Sequence, residues 1–332
     1  MGEKSFVQGT SDHAGKKSLL RSIINDHEFT VFIVLVVMMI VFSITAERFM
    51  TTNNIMSILN LASIMFIMAG GEMLCIITGG IDLSIAAIMA LSGIISTSMI
   101  RDGAPTILAV IAPIAAGSLI GLFNGIMTAK VNVVDFIATL AMQLICHGIT
   151  YTWTGGYPIN YGLPDAFLFL GQGKLLGIPM LIIIAFIIYI VLYILLHKCK
   201  FGSRLYAFGG NKEASRLSGI NVDRVKISSF VISGTLGGLA GVLMAARLGS
   251  GQPTAGSTYL NYVIGGAILG GTSPSGGVGK IYGTLMGVII FQTITNGLTH
   301  LQVNSYVQEI VRGATILLAL AINAYREKQQ SK

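Results

Sequence analysis

The sequence predicts an all-α polytopic membrane protein with about ten transmembrane helices, some broken or re-entrant, and with both termini in the cytoplasm. Hydrophobic residues make up 53% of the 332 and charged residues 11%, against roughly 25% charged in soluble domains. Apolar runs alternate with short glycine-rich breaks, many of the runs near the about 20 residues that a helix rising 1.5 Å per residue needs to cross about 30 Å of hydrocarbon. The cations sit at the ends of those runs, which is how membrane proteins record orientation.

Each segment follows in order. Residues 1–28 are polar and carry Lys4, Lys16, Lys17 and Arg21. The apolar run behind them lacks a small-residue cleavage site, so it reads as an uncleaved first span. The membrane domain, 29–325, contains the runs 29–46, 55–78, 82–100, 107–129, 133–152, 176–197, 228–247, 259–279, 281–299 and 305–324, and 326–332 forms a cytoplasmic tail. Ten crossings from a cytoplasmic N-terminus put sixteen lysines and arginines inside and leave Arg48, Arg101 and Lys174 outside. The net charge of +7 therefore reports topology, and no separate basic domain exists to bind nucleic acid.

Two runs are interrupted. Residues 259–271 supply only about 13 apolar positions, too few to cross alone, and GTSPSGGVGK follows. The stretch 68–84, MAGGEMLCIITGGIDLS, is its counterpart in the first half, with Glu72 and Asp82 in or beside it. Paired interrupted segments point to a transport path; close packing of two glycine-rich helices is the alternative. Gly79, Gly80, Gly270, Gly271, Gly276 and Gly277 are the candidate gate or break glycines. Gly117, Gly121 and Gly125, Gly234 and Gly238, and Gly283 and Gly287 recur every four residues, the spacing that lets helix backbones approach.

No catalytic or metal site emerges. The five histidines include no HExxH, and GGVGK at 276–280 has Pro274 and Ile281 where a phosphate loop needs glycine and a hydroxyl residue. Cys75, Cys146 and Cys199 have neither redox nor metal spacing. The chain is thus expected to bind no cofactor, no metal and no ATP. Charges inside a bilayer need partners, and Glu309 and Arg312, three apart, can neutralise one another. Gln143 and His147 share a helix face, to line a polar path or to bond a neighbouring helix. Only Glu72, Asp82, Asp135 and His147 could form a proton relay, a thin supply for an ion-coupled carrier.

The longest charged internal stretch is 198–227, with Lys198, Lys200, Arg204, Lys212, Arg216, Arg224 and Lys226 against Glu213 and Asp223. It faces the cytoplasm. Ala214, Leu217 and Ser218 at helical spacing give it a small, partly apolar face for a partner. The aromatic 153–175 segment, with Trp153 and Tyr157, is its long external counterpart.

GGIDLS (79–84), FIATL (136–140), FGSRLYAFGGN through EASRLSGINVDRVK, ARLGSGQPTAGSTY (246–259) and GGTSPSGG (270–277) resemble the permease subunit of ribose-type ABC importers. The resemblance runs from about residue 52 to the tail. It implies an inner-membrane subunit working as a permease dimer with an ABC ATPase, which hydrolyses the ATP, and a periplasmic or lipid-anchored sugar-binding protein. Glu213, Ala214, Ser215 and Gly219 are similar to the EAA-x3-G core of importer permeases, so Asn211, Glu213, Ala214, Ser215, Arg216, Leu217 and Gly219 are expected to dock on the ATPase. The Ile-x-Leu-Pro continuation is missing. Departures from the family at Asp135, at His147-Gly148 and at Leu260-Asn261 lie near path or gate positions, which leaves the sugar open; Asp82, Gln143, His147 and Asn261 are the path candidates. A stand-alone facilitator or ion-coupled carrier is the competing reading.

Overall fold

The computed structural model describes residues 27–160 and 162–330. The cations Lys4, Lys16, Lys17 and Arg21 and the tail residue Lys332 lie outside them. Among the described residues there are thirteen helices and one two-stranded hairpin: α1 (His27–Thr45), α2 (Thr52–Ile77), α3 (Ile85–Arg101), α4 (Thr106–Ala129), α5 (Asp135–Thr154), α6 (Asp165–Gln172), β1 (Lys174–Leu175), β2 (Ile178–Pro179), α7 (Met180–His197), α8 (Lys200–Gly210), α9 (Lys212–Leu217), α10 (Val222–Leu248), α11 (Tyr259–Leu269), α12 (Ile281–His300) and α13 (Ser305–Gln330).

A helix occupies each of the ten apolar runs. Five of them, α2, α4, α7, α10 and α12, are long and apolar enough to cross a membrane by length and composition. Among the others, the apolar part of α1 and all of α3 and α11 are shorter than 18 residues within the described residues, and α5 is diluted by Asp135, Gln143 and His147. The sixth run also begins later than its composition suggests. Leu176 and Gly177 have φ of 52° and 82°, the paired positive values of a tight hairpin turn, so 176–179 closes the β1–β2 hairpin before α7 starts.

α2 is the interior element. Every residue from Ala62 to Ile77 is buried, and a helix apolar on all sides belongs inside a bundle. α10 crosses it and also packs on α3 and α4. The glycine spacing explains how close that last crossing is. A Cβ added at Gly121 would stand 3.1 Å from the Val231 Cα, and one at Gly125 would stand 2.8 Å from the Ile227 Cα. Gly234 and Gly238 give the reciprocal clearance against Gly117, Gly121 and the Pro113–Ile114 backbone. α11 and α12 use the same device, with a Cβ at Gly287 reaching 2.9 Å from the Gly270 nitrogen. Small residues at such seams substitute for the hydrophobic drive that lipid cannot provide between helices.

The outward faces of α4, α5 and α7 are apolar and exposed, among them Leu119, Phe123, Phe136, Leu144, Ile145, Phe186 and Val191. Contiguous exposed apolar surface of this kind belongs against lipid or another protein. At the end of the bundle that carries α6 and the hairpin, Ile159 and Gly251 exchange backbone hydrogen bonds of 2.9 and 3.1 Å, and the Gln172 side-chain amide donates to the carbonyls of Ala246 and Arg247.

Candidate functional site

The cationic 198–227 stretch is folded. α8 packs its apolar side inward through Leu205 and Phe208 and leaves Ser203, Arg204 and Ala207 exposed. α9 follows at once, because Asn211 stops one helix and starts the next: its Oδ1 accepts the Ala214 N–H at 2.9 Å, satisfying an amide that the first turn leaves without a helical partner. The other end is equally determined. The N–H groups of Gly219 and Ile220 return to the Arg216 and Ser215 carbonyls, and Gly219 adopts φ +80°, the left-handed conformation that ends helices and that glycine adopts without a Cβ penalty. The spacing between Glu213 and Gly219 is thus the spacing between the start and the terminator of one short helix. Only Ser215 on α9 is buried; Glu213, Ala214 and Arg216 are exposed, and Leu217 is 88% exposed. An apolar side chain held that far out in water offers itself to a partner surface.

The two interrupted segments meet each other, and they meet α8. α2 ends at Ile77 and α3 begins at Ile85, leaving 78–84 irregular; α11 ends at Leu269 and α12 begins at Ile281, leaving 270–280 irregular. The Gly277 N–H donates to the Ile77 carbonyl at 2.9 Å, joining the breaks directly. Gly79, Gly271, Gly276 and Gly277 have φ of 74°, 93°, 88° and 75°, so these turns require glycine. A Cβ on Gly276 would lie 3.0 Å from the Gly209 carbonyl oxygen and 3.1 Å from the Gly79 nitrogen, which means three chain segments converge with no room for side chains. Gly80 lies against the Asp135 carboxylate, and Gly270 against the Gly283 backbone. The Tyr206 hydroxyl adds a link from α8, donating to the Gly279 carbonyl at 2.7 Å. Burial pushes the Tyr206 phenol up, with the Lys280 ammonium pulling weakly the other way, so the hydroxyl stays a neutral donor.

Polar side chains brace the first break. Asp82 is fully buried. Its carboxylate accepts from the Ser84 N–H (3.0 Å), the Ser84 hydroxyl (2.6 Å) and the Ser233 hydroxyl on α10 (2.8 Å). Glu72, also fully buried, accepts the Asp82 N–H at 3.0 Å, Asn124 on α4 donates to the Ser84 hydroxyl, and Thr139 on α5 donates to the Ile81 carbonyl. Asp82, expected on the solute path, is enclosed by these donors, as a buried acid must be. At the rim of the same break, Lys226 Nζ stands 2.7 Å from Asp135 Oδ1, with side chains only 14% and 12% exposed. Lys212, Lys226 and Asp135 line a cleft of about 390 Å³ with Gly79, Gly80, Asn132 and Phe136.

The remaining path candidates are scattered. Gln143 and His147 are half-buried side by side on α5, with the His147 ring stacked 6.1 Å from Tyr151, and Asn261 is exposed at the start of α11. One pairing is corrected. Glu309 is exposed and makes no ion pair with Arg312, whose Nη2 donates to Gln308 Oε1, one turn back on α13, at 3.2 Å and whose guanidinium sits 5.1 Å from the centre of the Tyr262 ring on α11. Cation–π attraction to the ring face stands where a carboxylate was expected. Sequence reasoning missed Tyr206 and treated Lys226 only as one more cation; the apolar pattern Phe201, Leu205, Phe208 with Tyr206 beside it was the available signal for α8.

Comparison with known proteins matches residues 54–320 to a family described as branched-chain amino acid transport system / permease component. The chain is 42% identical to the ribose import permease protein of Escherichia coli strain K12 over 294 residues, 88% of this chain and 92% of that protein. It is 42% identical to the ribose import permease protein of Bacillus subtilis strain 168 over 297 residues, 88% of this chain and 91% of that one. The D-allose transport system permease protein of Escherichia coli strain K12 is 36% identical over 314 residues, 94% and 96% of the two chains. No solved structure matches.

Proposed function

The chain belongs to the branched-chain amino acid transport system / permease component family, and from that premise we propose the following working arrangement for a permease subunit of a monosaccharide ABC importer in the bacterial inner membrane. Ribose or a sugar of closely similar shape is the cargo, since the ribose import permeases are 42% identical and the D-allose permease 36%. Ten crossings with both termini in the cytoplasm carry the fold, the asymmetry of sixteen inner to three outer cations supporting that orientation. The junction geometry is consistent with it. The cationic α8–α9 segment, both breaks, and the Asp135 and Lys226 pair all lie at one end of the bundle, as ten crossings require.

The single observation that carries the mechanism is α9: a six-residue helix, capped by Asn211 and ended by Gly219, that holds Leu217 in solvent. It docks in the ATPase, which binds and hydrolyses ATP, while this chain performs no chemistry. A sugar-binding protein delivers cargo to the opposite end, near α6 and the 248–258 segment, and a second copy of the chain completes the path. Gln143, His147 and Asn261 supply polar groups along it. Sugar-stimulated ATP hydrolysis by the reconstituted complex, measured across pentoses and hexoses, tests this reading. Stimulation by ribose or a close analogue is expected, and hydrolysis indifferent to every sugar contradicts it.

A further inference from the structure

Resting on the docking role of α9, we infer that Tyr206 and the Asp135–Lys226 pair are the positioning residues through which movement of α8 and α9 reaches the two breaks. The argument begins with rigidity. Asn211 is at once the C-cap of α8 and the N-cap of α9, so displacement of the docking helix carries the C-terminus of α8 with it. Near that terminus Gly209 is packed without clearance on the Ile77 carbonyl, at the edge of the first break, and on the Gly277 backbone in the second. Contact alone transmits a push and not a pull. A pull needs bonds, and two side-chain links from this part of the chain provide them. Tyr206 grips the second break through the Gly279 carbonyl at 2.7 Å. Lys226, in the second turn of α10, the helix that follows α9, grips Asp135 at 2.7 Å, and Asp135 bears on Gly80 of the first break.

Both links are sheltered. Tyr206 is half-buried, and the Lys226 and Asp135 side chains are 14% and 12% exposed, so salt screens this pair far less than a surface ion pair. It contrasts with the Arg101–Asp102 ion pair, whose side chains are 41% and 63% exposed. Lys212 at the start of α9 borders the same cleft as Asp135 and Lys226. A first break already braced by Glu72, Asp82, Ser84, Asn124 and Ser233 then moves as a unit when Asp135 is drawn.

The test uses the reconstituted complex of two permeases, ATPase and binding protein, reading sugar moved per ATP hydrolysed, ATPase co-purification and the thermal midpoint in detergent. Tyr206→Phe removes one hydroxyl and keeps the ring; Asp135→Asn removes one charge and keeps the volume. Each is expected to lower the sugar-to-ATP ratio about fivefold or more, with the ATPase still bound, and Asp135→Glu is expected to recover most of the loss. A wild-type ratio in both Tyr206→Phe and Asp135→Asn overturns the inference, as does loss of the ATPase from either variant, since the residues would then hold the partner and not transmit. Leu217→Glu separates this from the docking reading. If Leu217→Glu abolishes co-purification while the two variants keep the wild-type ratio, only the transmission inference fails; if Leu217→Glu leaves docking intact, the docking reading itself fails.

Discussion

Glycines decide this protein at the scale of single residues, and for two different physical reasons. At the α4–α10 seam the helical backbone is ordinary and the missing side chain is what counts: a Cβ on Gly121 would run into the Phe230 carbonyl oxygen of α10. In the breaks and at Gly219 the positive φ is what counts. The four-residue spacing announced the first kind, whereas nothing in GGTSPSGG told which glycines would turn left-handed. Gly121→Leu forces the backbones apart, and overpacking of this kind costs about 1–3 kcal/mol. The measurement is the thermal midpoint of the detergent-solubilised protein, expected to fall by several degrees, while Gly148→Ala, which meets nothing within 4 Å, is expected to leave it unchanged. Arg312 teaches the opposite lesson. Its i, i+3 relation to Glu309 suggested a pair, but the side chain bonds Gln308 at i−4 on the same helix and stacks on the Tyr262 ring of α11, and spacing alone does not choose between such partners or reveal the one on the neighbouring element.

At the scale of elements, the interrupted 259–279 run was legible as broken, because 13 apolar positions cannot cross, and α11 does stop at Leu269. Its meeting with 78–84 and with α8 was not legible, since the contact is made by backbone atoms of glycines far apart in the chain. The cationic 198–227 stretch shows the same division. Its charge announced a side of the membrane, while its two helices follow from Asn211, whose capping bond only the structure displays. Asn211→Ala removes that bond, and cap deletions cost about 0.5–2 kcal/mol. A helix of six residues has little else to hold its first turn, so weaker ATPase co-purification is expected with the membrane bundle's thermal midpoint unchanged, and Asn211→Asp is expected to retain binding. Equal co-purification by Asn211→Ala would mean that α9 is shaped by its partner and not by its own cap.

For the whole molecule, composition and charge placement were enough to read a multi-pass membrane protein, and the resemblance of several ordered motifs was enough to read its family, matched over residues 54–320. The ten-span arrangement goes further than the five helices that qualify on length and composition, and the chain carries its own reporter for it. Cys75 and Cys146 are buried and Cys199 is exposed at the N-cap of α8. A membrane-impermeant maleimide applied to the permease without its ATPase is expected to label Cys199 in inside-out vesicles and to spare it in right-side-out cells; the reverse pattern would invert the topology.

The central claim is that this subunit moves sugar only when an ATPase drives it through α9. Uptake of labelled ribose into proteoliposomes tests it most directly, comparing vesicles that hold the permease alone with vesicles that also hold the ATPase, the binding protein and ATP. The account predicts no flux above empty vesicles for the permease alone, concentrative uptake for the complete system, and none again when Leu217→Glu replaces the wild-type chain. Saturable sugar flux through the permease alone would contradict it and restore the stand-alone carrier.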